Sequence, residues 1–233
     1  MTDTNARETL IDLLHGVERF NTEVFPKNRE LFASLADQQS PGTLFIACAD
    51  SRVNPGLITQ TKPGELFVLR NIGNIVPAYG EMLGGVSSAI EYAVLALKVS
   101  HIIVCGHSDC GAMKALLDPD PSKLAKMPTV ATWLRNAEAA RAVLEVSDAG
   151  PASVRSLAEQ NVLLQISHLR THPAVAAGLA RNTLTLQGWF YDIPSGEVVI
   201  LDEAARHFIS VHDAIEKLRA VTAQANTQAA QPA

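Results

Sequence analysis

A chain of 233 residues with 47% apolar and 18% charged side chains can bury one full core, which excludes a disordered or fibrous protein. Its formal net charge of −5, with no extended basic run, excludes the electrostatic footprint of a nucleic-acid or anionic-membrane binder. Three cysteines make no disulfide framework; with a polar, acidic N-terminus that lacks a secretion-signal pattern and no apolar stretch of spanning length, they predict a cytoplasmic protein.

Along the chain, Leu10, Leu13, Leu14, Val17 and Phe20 recur at helical spacing, and Pro26 divides them from a second stripe at Leu31, Phe32 and Leu35. Residues 1–37 therefore form an N-terminal helical arm whose apolar face must pack on something, a second subunit among the options. The first strand is expected over Leu44 to Ala47. Leu66 to Leu69 is a continuous apolar run that suits a strand buried on both faces of a parallel sheet. Gly84-Gly85 opens a helix from Val86 to Leu97, His101 to Cys105 is a third strand, and Cys110 to Leu117 is helical. A Pro-punctuated start (Pro119, Pro121, Pro128) leads into an Ala-rich helix that stops at Asp148-Ala149-Gly150-Pro151, and further helices run to Ala180. Leu184 to Tyr191 and Glu197 to Leu201 flank a turn at Ile193-Pro194-Ser195-Gly196 and predict a closing hairpin. A last helix is expected from Asp202 to Val221, ahead of a disordered tail at 222–233. The order predicts a single α/β domain over 38–221: a mostly parallel central sheet, about four parallel strands plus an antiparallel edge strand, flanked by helices.

Two clusters carry the chemistry. Cys48-Ala49-Asp50-Ser51-Arg52 follows the first strand, and His107-Ser108-Asp109-Cys110 follows the third. In open α/β sheets, sites form where strands end at their carboxyl side. His107 and Cys110 are three apart, so one turn can aim both at one ion, and Cys48 would come from the neighbouring strand end. Two thiols and an imidazole favour zinc, and three ligands leave a fourth position open for chemistry. Such a site is a weaker Lewis acid than one with three neutral imidazoles, so neighbouring residues must help. Asp50 can orient the zinc-bound water, with Arg52 holding it ionised as a charged fork. Asp50 can instead be a fourth metal ligand in a closed state, and the sequence leaves both roles open. Asp109 is expected to face away from the ion. Cys105, inside an apolar run, reads as a small core residue, and none of the scattered histidines His15, His101, His168, His172, His207 and His212 is given a role.

These segments resemble the β-class carbonic anhydrases. Cys48-Ala49-Asp50-Ser51-Arg52-Val53 and Cys105-Gly106-His107-Ser108-Asp109-Cys110-Gly111 are similar to the two signatures of that family. Pro63 to Val68, Arg70-Asn71-Ile72-Gly73-Asn74 and Ile90-Glu91-Tyr92-Ala93 are similar to its central blocks. The resemblance implies reversible hydration of carbon dioxide to bicarbonate and a proton by zinc-bound hydroxide, with Cys48, His107 and Cys110 as ligands and Asp50–Arg52 as a catalytic dyad. It also implies a plant-like subtype, in which Gln39, Phe67 and Tyr92 contact substrate, because Phe45 stands where the bicarbonate-inhibited type carries Trp. It further implies a homodimer or a multiple of dimers, with the site at the subunit boundary and the arm over the partner. Two other readings compete: a carbon disulfide or carbonyl sulfide hydrolase on the same fold, and a non-enzymatic zinc or redox-sensing protein.

Overall fold

Strands β1 (Thr43–Cys48), β2 (Leu66–Asn71), β3 (His101–His107), β4 (Thr185–Tyr191), β5 (Val198–Asp202) and β6 (His207–Ser210) form one sheet in the order β2-β1-β3-β4-β5-β6. The computed structural model describes residues 3–81, 84–146 and 152–229, with side chains described between residues 5 and 223. The first four strands in that order run parallel, β5 is antiparallel to β4, and β6 is antiparallel to β5. The expected parallel core is therefore present, with two antiparallel strands where one edge strand was predicted.

Continuous apolar runs explain the central position of β1 and β3. Leu44 to Ala47 and Ile102 to Cys105 are buried on both faces of the sheet. Alternate side chains point to opposite faces. Leu44, Ile46, Ile102 and Val104 pack against Ile90, Ala93, Val162, Ile166 and Val175 on one side, while Phe45, Ala47, Ile103 and Cys105 pack with Val53 on the other. Each fully buried Phe, Ile or Leu there contributes roughly 1.5–3 kcal/mol of transfer free energy. β2, read from sequence as buried on both faces, is instead the sheet edge, and Val68 is exposed. An apolar run does not distinguish a central strand from a half-covered terminal one.

Helices precede, connect and follow the strands in chain order. They are α1 (Asp3–Arg19) and α2 (Arg29–Ser34) in the arm, then α3 (Pro55–Thr59), α4 (Gly85–Glu91), α5 (Gly111–Leu117), α6 (Pro121–Ala125), α7 (Pro128–Leu134), α8 (Glu138–Glu145), α9 (Val154–Leu169), α10 (Pro173–Ala180) and α11 (Val211–Ala229). Their starts follow side-chain capping chemistry. Asn54 caps α3 ahead of Pro55, accepting from Leu57 N at 3.1 Å, and Ser153 with Ser156 forms a capping box at α9. The helix expected from Val86 to Leu97 is α4 continued by a π turn over Tyr92–Ala96, and Lys98 at φ 56° ends it. The stop signals at 148–151 lie outside the described residues.

Two glycines let α9 approach the sheet. A Cβ on Gly106 would lie 2.8 Å from Val162 Cγ2 and 3.3 Å from the Ala158 carbonyl, and a Cβ on Gly188 would lie 2.8 Å from Val162 Cγ1. Gly106→Ala is expected to destabilise the fold by about 1–3 kcal/mol through overpacking against backbone that cannot retreat. Urea unfolding checks this: a lower midpoint at unchanged slope is expected, and an unchanged midpoint contradicts the packing argument.

The end of the chain corrects two expectations. Residues 207–210, read as the interior of a helix from Asp202 to Val221, are strand β6, and the helix starts at Val211. Arg206 at φ 55° breaks any helix there, and Phe208 packs edge-on against Phe190 with ring centroids 6.3 Å apart. The helix also continues past Val221 to Ala229, into the stretch expected to be a disordered tail. Its Ala and Gln residues are strong helix formers that extend an already nucleated helix without needing an apolar face. Residues 230–233 are outside the described range.

By Cα packing the chain divides into the units Met1–Gln39 and Ser40–Ala233. In the first, α1 and α2 are separated at Pro26 as expected, and the rings of Phe20, Phe25 and Phe32 cluster with centroids 5.4–6.1 Å apart. Leu10, Leu13, Leu14 and Val17 are more than half exposed.

Candidate metal centre

Parallel pairing of β1 with β3 sets Ala47 opposite Cys105, so Cys48 and His107 leave the sheet at the same end. Asp109 then turns the chain back with φ 58°, a left-handed conformation that Asp tolerates, and Cys110 arrives at the start of α5. The outcome is a cluster of Cys48, His107 and Cys110 whose ligand atoms all lie within 4.8 Å of one another, with all three residues buried.

The donor states suit a metal. His107 Nδ1 lies 2.8 Å from the Ser108 carbonyl, which can only accept, so Nδ1 carries the proton and Nε2 presents a lone pair. Nε2 is buried and has no hydrogen-bond partner. Leaving such an atom unsatisfied costs about 1–3 kcal/mol, which a bound cation would remove. Ser108 is itself fixed, its N–H donating to the Tyr191 carbonyl at 2.9 Å and its Oγ accepting from Ile193 N at 2.8 Å. The two thiols are hydrogen-bonded to each other. The Cys110 hydrogen bond pushes the Cys48 thiol well down against the opposing effect of burial, and the same pairing, together with burial, pushes Cys110 up. Gly73 N–H adds a donor 3.4 Å from Cys48 Sγ. Two buried sulfurs and a correctly tautomerised imidazole fit zinc.

Beside the cluster, Arg52 grips Asp50 as a fork. Nε lies 2.9 Å from Oδ1 and Nη2 2.8 Å from Oδ2, and the Arg52 backbone N–H donates to Oδ1 at 3.0 Å. This holds the Asp50 carboxyl well below the usual carboxylate range. The linkage sign follows: a depressed folded pKa stabilises the fold fully above the unfolded value of about 3.9 and loses that contribution as pH falls toward the folded value. The melting-temperature gap between wild type and Asp50→Asn is therefore expected to be constant from about pH 8 to 5 and to shrink below about pH 4. A gap that changes across neutral pH, read by scanning calorimetry, would contradict a permanently ionised Asp50.

Supports for this geometry come from residues to which the sequence had given no role. Arg70 clamps the backbone of the first cluster, Nε donating to the Cys48 carbonyl at 3.0 Å and Nη2 to the Asp50 carbonyl at 2.6 Å. Asn161 Nδ2 donates to the Gly73 carbonyl at 3.0 Å, and Gln165 links Asn161 at 2.7 Å to Val76 N at 2.8 Å. That chain holds the loop that presents Gly73 N–H to Cys48. Its signal in the sequence was two amides four apart beside Val162 and Ile166 on the buried face of a helix. An apolar cavity of about 710 Å³, lined by Ala49, Ile72, Val130 and Trp133 among others, opens beside the residue after Cys48. Cys105 is core, as expected, its thiol pushed up to about 12 by burial. Asp109 is not among the clustered ligands.

A family profile described as carbonic anhydrase matches residues 43–198. The chain belongs to the carbonic anhydrase family. A carbonic anhydrase of Pseudomonas aeruginosa is 50% identical over 202 residues, spanning 86% of this chain and 91% of that protein. The solved β-carbonic anhydrase CcaA superposes with a TM-score of 0.84 at 42% identity, covering 87% of this chain and 92% of that one. One of two tetrameric β-carbonic anhydrases from Sordaria macrospora matches with a TM-score of 0.72 at 32% identity, over 84% and 98% of the two chains. The α/β fold is that of the β class.

Gln39, Phe67 and Tyr92 are the remaining residues singled out by resemblance to β-carbonic anhydrases. Phe67 and Tyr92 meet each other, ring centroids 6.0 Å apart. Phe67 pairs with Leu44, whereas Cys48 pairs with Asn71, so Phe67 lies four register positions from the ligand end of the sheet, about 13 Å along a strand. Gln39 is exposed at the end of the N-terminal unit. Among the described residues, no helix is long and apolar enough to cross a membrane.

Proposed function

We propose that this chain catalyses the reversible hydration of carbon dioxide to bicarbonate and a proton, with zinc held by Cys48 Sγ, His107 Nε2 and Cys110 Sγ. Membership of the family makes it a carbonate dehydratase. The observation that carries the site assignment is the buried, unpartnered His107 Nε2 between two thiols, next to a carboxylate already engaged by arginine. Zinc in that donor set supplies the Lewis acidity that makes water nucleophilic near neutral pH.

The chain's own residues then do the orienting. Asp50 stays ionised and accepts a hydrogen bond from the attacking water, which turns a lone pair of that water toward the carbon. Arg52 keeps its charge at every physiological pH and fixes the carboxylate through two parallel bonds. Arg70 restrains the peptide that carries both Cys48 and Asp50, so ligand and orienting carboxylate move together. Asp50 as a fourth metal ligand in a closed state requires it to leave Arg52.

Gln39, Phe67 and Tyr92 are proposed as substrate contacts contributed across a subunit boundary. The distance of Phe67 from the ligand end within one chain supports this reading, as does the half-exposed Tyr92 ring. A homodimer or a multiple of dimers is proposed on the same ground, with the exposed stripe of α1 and the tetrameric Sordaria relatives in support. Three free cysteines fit a cytoplasmic location. Nothing in the site favours the carbon disulfide, carbonyl sulfide or redox-sensing readings.

The test is oxygen-18 exchange between labelled carbon dioxide and water, followed by mass spectrometry on the purified protein. Acceleration well above the uncatalysed rate is expected. Exchange at the uncatalysed rate with zinc bound contradicts the proposal.

A further inference from the structure

Asp109, the residue between the two ligands of the second signature, is tied to the first signature. Arg52 Nη1 donates to Asp109 Oδ2 at 3.0 Å, and Arg52 Nη2 reaches the Asp109 carbonyl at 3.3 Å. Lys114, in α5, pairs with the other Asp109 oxygen. The guanidinium has five N–H donors; two of its contacts hold Asp50 and two hold Asp109. A fork bound only to Asp50 could carry that carboxylate with it as the exposed arginine stem rotates. A second anchor on the far side of the fork removes that freedom. The anchor is itself fixed to the helix that begins just after Cys110, so the orienting carboxylate is indexed to the metal ligands.

We propose that Asp109 and Lys114 are positioning residues that lock Arg52, and through it Asp50, in the arrangement that keeps the fourth position of the metal open. This rests on the zinc and Asp50 roles proposed above. Stability does not account for the pair of contacts: Arg52, Asp109 and Lys114 are each about half exposed, and exposed ion pairs contribute little. The left-handed backbone at 109 accepts Asn as readily as Asp, so backbone conformation does not require the charge either.

Asp109→Asn keeps the side-chain shape and the backbone preference while removing the charge, and Lys114→Met frees the other end of the anchor. Each variant is compared with wild type in two ways: azide titration of the cobalt-substituted protein by its visible spectrum, and kcat and KM for carbon dioxide hydration. Azide, a small anion, competes with the Asp50 carboxylate for the fourth position. Both variants are expected to weaken azide binding about tenfold and to lower kcat by a similar factor at unchanged KM, with metal content unchanged. Asp109→Asn combined with Lys114→Met should be no worse than Asp109→Asn alone, since the two act through one contact. Azide affinity within about twofold of wild type in the folded variants, whatever happens to kcat, overturns the proposal. Should the wild type lack hydration activity, the functional reading fails, yet the azide titration still decides whether Asp109 governs the metal's open position.

Discussion

Asp50→Asn is expected to lower kcat/KM for carbon dioxide hydration by about 10²–10³-fold, the usual cost of removing a positioned proton-handling or charge-orienting group. Asn keeps the size of the side chain and one acceptor oxygen. It replaces the other oxygen with an NH₂ group that cannot accept from Arg52, so one arm of the fork, 2.8–2.9 Å from each carboxylate oxygen, loses its partner. The negative charge that would accept a hydrogen bond from water also disappears. The proposed zinc ligands Cys48, His107 and Cys110 are untouched, so metal content should remain one per chain. Stopped-flow hydration assays with zinc determined on the same sample read both quantities. Activity within about threefold of wild type would show that Asp50 does not orient the nucleophile.

Cys48→Ser is expected to abolish activity by releasing the metal. Three side chains share an affinity that in zinc sites amounts to roughly 10–16 kcal/mol, so losing a thiolate costs about 4 kcal/mol, or roughly 10³-fold in zinc affinity. The Cys48 thiol is also the one whose pKa the site depresses, through the Cys110 hydrogen bond, so the other thiol loses its partner too. Cys105→Ser is the control: the thiol is fully buried away from the cluster, so metal content should hold while stability falls. Zinc assay after exhaustive dialysis separates the two. Full zinc occupancy in Cys48→Ser would remove Cys48 from the ligand set.

The meeting of Cys48, His107 and Cys110 was legible because its logic is local. Cys48 and His107 each end an apolar run, and adjacent parallel strands deliver their ends to one place. Cys110 follows His107 by one turn. The parallel core was legible for the same reason, since Leu44 to Ala47 and Ile102 to Cys105 can be satisfied only by burial on both faces. What stayed hidden depends on long-range partners. Arg70 is an ordinary strand residue until its fork meets two carbonyls at 48 and 50, and Asn161 with Gln165 looks like a polar interruption of a helix until the Gly73 loop arrives. β6 escaped because four residues are too few for a period, and a helix-friendly Ala-Ala-Arg precedes them. Phe67 and Tyr92 were paired with the site by resemblance alone. Their separation from Cys48 along β2 arises from strand register, which no local pattern specifies.

Carbon dioxide hydration followed by stopped flow across about pH 6.5–9, a range that brackets ionisation of water at such a site, with zinc content measured on the same sample, tests the central claim most directly. The account predicts one zinc per chain, a rate that rises with pH, and loss of that rate when a chelator removes the metal. No hydration at any pH with zinc bound, or full activity after zinc has gone, would contradict it.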